Sequence, residues 1–127
     1  MTSHDNDPRV GALQDLVRLR RSVPDAAAAL AAFDWDSDEE LVTLTRADAA
    51  RLLTAYLDGT LTDADVVTWA EALEGRDDVG FEPSHDDTLK NLLFDLSTPE
   101  LTEPLTPDNV RRRLIQLTQH KLEPEER

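Results

Sequence analysis

The chain has 127 residues, with 13 Lys and Arg against 27 Asp and Glu, for a formal net charge of −14. That length predicts one domain able to bury its own core, and the lack of cysteine excludes a disulfide framework, a zinc ribbon and a cysteine nucleophile. Acidity argues against direct binding of nucleic acid, the longest apolar run (Ala26 to Phe33) is too short to span a membrane, and the N-terminus lacks a signal core, so a cytoplasmic protein is expected.

The first seven residues are polar and are expected to be disordered. Asp7-Pro8 reads as an N-cap with proline at the first helical position. Val10, Leu13, Leu16 and Val17 recur at helical spacing, which predicts a helix over 8–21. Ser22 to Asp25 restarts the chain, and the alanine-rich run over 26–32 predicts a short second helix. Phe33 to Glu40 then carries Asp34, Asp36, Asp38, Glu39 and Glu40 around Phe33 and Trp35. This reads as an acidic loop whose aromatics dock on the core.

Four start signals follow. Thr45 with Asp48 and Thr62 with Asp65 have capping-box spacing, Ser84 with Asp87 has a similar serine–acid spacing, and Thr106 precedes a first-turn proline. Leu61 with Val66, and Leu105 with Val110, have the spacing of a hydrophobic staple. The predicted helices cover 46–58, 63–74, 85–96 and 107–120, with Gly59 and Gly75 ending two of them. The short turn between the first two of these predicts an antiparallel pair. Residues 76–83 read as a loop. The proline-bearing stretch 97–107 reads as an ordered connection anchored by Leu101 and Leu105, and 121–127 as a charged tail. Leu41 to Leu44 is the one weak strand candidate. The expected fold is all-α, a compact bundle of five to six short helices forming a single domain over 8–120.

Charge is unevenly placed. Residues 1–32 are neutral, residues 33–109 carry twenty acids against four bases, and the remainder is net basic. Such asymmetry points to a charged partner or to contact between the ends of the chain. Proteome-wide acidity for solubility is the competing explanation.

Candidate chemistry is sparse. Asp34, Asp36 and Asp38 resemble the opening of a calcium loop, but Glu39 stands where the turn glycine belongs and Thr45 where the bidentate glutamate belongs. His4, His85 and His120 never share metal-ligand spacing. Ser84, His85 and Asp86 are adjacent and so cannot converge as a triad. The glycines are scattered and form no phosphate-binding loop. The sequence therefore predicts no catalytic residues, no metal and no cofactor. Two features remain. Arg76 sits among Glu71, Glu74, Asp77 and Asp78, either as a local ion pair at a helix end or within one edge of an acidic binding face. Arg111 to Arg113 are expected to pair with the acidic middle of the same molecule.

The segments Tyr56 to Gly59, Trp69 to Phe81, Pro99 to Leu101 and Pro104 to Pro107 resemble those of small acidic helical bacterial proteins. More loosely, the chain over 41–118 is similar to colicin-type immunity proteins. That resemblance implies a non-catalytic binding protein whose partner is a basic protein, such as a nuclease toxin with a cationic cleft. The carboxylates it implicates are Asp34, Asp36, Asp38, Glu39 and Glu40, then Glu71, Glu74, Asp77 and Asp78, with Trp35 as an aromatic anchor. The alternative is a helical interaction or scaffold module that binds through an apolar face and whose acidity is background.

Overall fold

A computed structural model describes residues 8–119. The expectations for residues 1–7, for His120 and for the tail at 121–127 lie outside the described residues. The elements run α1 (Pro8–Val17), α2 (Val23–Leu30), β1 (Val42–Leu44), α3 (Arg46–Leu57), α4 (Asp63–Leu73), β2 (Val79–Phe81), α5 (Asp86–Ser97) and α6 (Pro107–Gln119). The fold is a helical bundle with one small parallel ribbon.

Local chemistry sets most helix ends. Thr45 Oγ1 accepts the Asp48 N–H at 3.1 Å while Asp48 Oδ2 accepts the Thr45 N–H at 3.0 Å, closing the capping box of α3. Thr62 and Asp65 repeat this at α4 with 3.1 and 3.0 Å. Ser22 caps α2 by accepting the Asp25 N–H at 3.3 Å, so that helix starts at Val23, before the alanine run. Thr106 caps α6 through the Asn109 N–H at 3.1 Å. Ser84 does not cap α5. The His85 N–H closes a tight turn on the Glu82 carbonyl at 3.0 Å, Ser84 takes φ +72°, and His85 becomes the cap residue, its side chain making no capping bond to the helix.

At the other ends, Gly59 takes φ +88° and the Thr60 N–H reaches the Ala55 carbonyl at 2.9 Å, a Schellman closure. Helix α1 closes the same way, four residues before the expected Arg21, with Leu19 at φ +56° and Arg20 N–H on the Asp15 carbonyl at 2.9 Å. Leucine in that backbone region costs roughly 1–2 kcal/mol. The packing of Leu19 against the core offsets it.

The stretch expected as a loop over 76–83 contains β2. It pairs in parallel with β1 in the register Val42↔Val79, Thr43↔Gly80 and Leu44↔Phe81, with α3 and α4 as the crossover. Val42, Leu44 and Val79 are buried there. The core centres on Trp69, which is fully buried and donates its Nε1–H to the Leu16 carbonyl at 2.9 Å. Helix α4 packs on α2 and α5, α1 on α2 and β1, and α3 on α6. The expected α3–α4 pair touches little, because α6 covers the apolar stripe of α3 instead.

Two apolar residues lie off the core: Ile115, which helical spacing on α6 would place inward with Val110, Leu114 and Leu117, and Leu101, expected as an anchor. Ile115 is 47% exposed, because Val110, Leu114 and Leu117 define the inward stripe of α6 and Ile115 lies off it. Leu101 is 70% exposed, because polar bonds fix its connection: Leu101 N–H to the Thr98 carbonyl at 2.9 Å and Thr102 Oγ1 to the Asp95 carbonyl at 3.2 Å. No helix among the described residues is long and apolar enough to cross a membrane.

Candidate partner-binding face

Parallel pairing of β1 with β2 brings the segment before β1 alongside the segment before β2, so the two acid-rich stretches meet. The seam is an ionic knot. Asp78 has no exposed side-chain surface and Arg76 has 2%. Arg76 grips Asp78 with both arms of its fork, Nε to Oδ1 at 2.9 Å and Nη2 to Oδ2 at 3.2 Å. From α1, Arg9 Nε reaches Asp78 Oδ2 at 2.8 Å.

Two guanidiniums thus share one buried carboxylate. Backbone carbonyls of the acidic loop take up the remaining positive charge. Arg76 Nη2 donates to the Asp34 carbonyl at 2.8 Å, and Arg9 Nη2 donates to the carbonyls of Asp34 and Asp36, both at 2.7 Å. The Asp77 N–H donates to the Trp35 carbonyl at 3.0 Å, and the Leu41 N–H to the Asp78 carbonyl at 2.8 Å. The loop is therefore held by its main chain, and Asp34, Asp36, Asp38, Glu39 and Glu40 are all exposed. The Glu40 side chain lies so close over Gly80 that a Cβ at Gly80 would collide with it.

Glu71 and Asp77 are both exposed, and the Asp77 main chain is bonded to the loop. Asp78 is removed from the binding face, because it is the buried counter-charge of Arg9 and Arg76. Glu74 is half-buried and accepts the Ser97 hydroxyl of α5 at 3.0 Å, which ties it to the helix pair. Trp35 does not dock on the core. It is 46% exposed and lies under the Arg76 guanidinium, 4.8 Å from the ring centroid. Of the two readings of Arg76, the local ion pair is present, with Asp78 two residues on; it is buried, and the ties to distant segments are the Arg76 bond to the Asp34 carbonyl and the Arg9–Asp78 pair.

Clefts flank Arg76 on two sides. One of about 300 Å³ lies between α2 and α4 and includes Trp35 and Glu71. The other, about 390 Å³, includes Glu74, Asp77, Phe81 and Lys90, with the Lys90 ammonium 5.6 Å from the Phe81 ring centroid.

Elsewhere several arginines are paired within the molecule. Arg111 pairs with Asp108 at 2.9 Å, Arg112 with Glu103 at 2.6 Å, and Arg113 with Asp95 at 2.7 Å and Glu103 at 3.1 Å. Burial pushes the Glu103 carboxyl up, but the guanidiniums of Arg112 and Arg113 outweigh it and hold the group below its ordinary range. Arg46 donates three hydrogen bonds to Glu82, from its backbone N–H at 2.8 Å and its side chain at 3.1 and 3.0 Å. They hold the Glu82 carboxyl at about 2 against the opposing effect of burial.

Sequence reasoning missed Arg9, whose partner lies 69 positions away. It also missed Asp48 as a hub, where Arg51 Nη1 at 2.9 Å and Arg18 Nε at 3.9 Å approach a nearly buried carboxylate. The only sequence signal for Asp48 was its capping-box position. Among the described residues no group of three or more His, Asp or Glu is arranged to hold a metal ion. No protein-family model, curated protein or solved structure matches this chain.

Proposed function

We propose that this chain is a non-catalytic acidic binding protein that engages a basic protein partner through the loop 33–40 together with Glu71 and Asp77. One observation carries the reading. Arg9 and Arg76 spend their charge on buried Asp78 and on loop carbonyls, so the loop's own carboxylates remain exposed around a half-exposed tryptophan. In its narrowest form the protein is a cytoplasmic immunity protein that fills the cationic cleft of a nuclease toxin where substrate phosphates would sit. Charge complementarity then speeds association and makes binding salt-sensitive.

The test is a pull-down from the native host lysate at low salt, using the wild-type chain and a D36N/D38N/E39Q/E40Q variant. Recovery of one basic protein, lost with the variant and with added salt, supports the reading. Equal recovery by both chains moves recognition away from the loop. A second reading, an interaction module that uses an apolar face, is favoured by Phe94 at 44% and Ile115 at 47% exposure. Its partner would stay bound as salt rises.

A further inference from the structure

We infer that the cleft between α2 and α4 is an anchor site for one arginine or lysine side chain of a basic partner. This rests on the reading above and names the contact by which the acidic face would grip its ligand.

A long side chain with a cation at its tip needs three things from a receptor: apolar lining for its methylenes, a π-face or carboxylate for its charge, and room. The cleft offers all three. Ala27, Leu30 and Ala72 supply apolar lining, Trp35 an aromatic wall, Glu71 a carboxylate and Thr68 a hydroxyl, in a volume of about 300 Å³. Arg76 also lines it, but its guanidinium is committed to Asp78 and to the Asp34 carbonyl. Its stacking at 4.8 Å, with the hydrogen bond from Asp77 N–H to the Trp35 carbonyl, holds the indole in place before any ligand arrives.

The charge of the occupant follows from the surroundings. An anion would meet the field of Asp34, Asp36, Asp38 and Asp77, all exposed around the knot. An uncharged apolar side chain would strip water from the Glu71 carboxylate and give nothing in return. The neighbouring cleft beyond Arg76 shows the same chemistry satisfied from within. There Lys90 stacks on Phe81 at 5.6 Å, with Glu74 and Asp77 lining the same space. In the α2–α4 cleft Arg76 supplies the stacked cation on Trp35 and is itself neutralised by Asp78, which leaves the Glu71 carboxylate for a cation that the partner brings.

The test is titration of the full chain with octa-arginine, and with octa-citrulline as its neutral isostere, at low ionic strength. Calorimetry gives affinity and tryptophan emission gives location. Trp69 is fully buried, so a surface ligand reports through Trp35. Octa-arginine is expected to bind saturably and change the emission, and octa-citrulline to do neither. Glu71→Gln and Trp35→Leu are each expected to weaken octa-arginine about fivefold or more. Glu100→Gln, an exposed carboxylate outside the face, sets the effect of one generic charge. If the first two variants weaken binding no more than Glu100→Gln does, while D36N/D38N/E39Q/E40Q abolishes it, the cleft is not the anchor and the acidic face stands. If octa-arginine does not bind the wild-type chain at all, both the anchor and the basic-partner reading fail.

Discussion

Arginine meets carboxylate at two contrasting places in this molecule. In the knot, Arg76 and Asp78 are withdrawn from water and, with the half-buried Arg9, tie α1, the acidic loop and the entry to β2 together. On α6, Arg111, Arg112 and Arg113 meet Asp108, Glu103 and Asp95 at or near the surface. Residue types and distances are alike, but the environments are not. A buried charge that loses its partner cannot recover its hydration, whereas a surface charge returns to water at little cost. The count of acids and bases therefore says little about which charges hold the fold and which are available to a partner.

The largest expected effect comes from breaking the knot. Asp78→Asn leaves two guanidiniums without their counter-charge and should destabilise the chain by about 3–5 kcal/mol. Denaturant melts measure this directly, and a loss under 1 kcal/mol would show that the buried charges are relieved by water.

The Arg46–Glu82 pair is intermediate, with Glu82 about a quarter exposed. Its carboxyl titrates near 2 in the folded chain against an ordinary 4.5. Because the folded value is the lower one, the stabilisation is complete above about pH 4.5 and is lost as pH falls toward 2. After allowance for solvent screening it is worth about 1–2 kcal/mol. Melts of the wild-type chain and of Glu82→Gln should converge at the acid end of that window and separate above it.

The smallest effect belongs to α6. Glu103→Gln should cost under about 1 kcal/mol, and the difference should fade in about 0.5 M salt. A larger, salt-independent loss would place Glu103 with the knot.

What could be read from the chain was what neighbours in sequence decide. Thr45 with Asp48 and Thr62 with Asp65 set their helix starts through bonds spanning three residues, and Gly59 marks its own helix end. Leu19 ends α1 in a conformation that leucine rarely adopts, so no local signal announces it. The strands are three residues each, too short for alternation to be seen, and their pairing depends on where α3 and α4 return the chain. For the candidate face, the acidity of 33–40 and 71–78 was visible, but their adjacency was not. Nor could Asp78 be told from Asp77. One is buried and one exposed because the guanidiniums of Arg9 and Arg76 converge on only one of them.

The distance in sequence between Arg9 and Asp78 also imposes an order on synthesis. A ribosome adding about 5–20 residues per second needs several seconds to travel from one to the other. Through that interval α1 can close its first turns and lean on α2, and Arg9 can reach the Asp34 and Asp36 carbonyls, but the clasp lacks the carboxylate of Asp78. The N-terminal third of the chain therefore waits on a single aspartate made much later. A nascent chain stalled before that aspartate would expose the loop, the tryptophan and the first helix together.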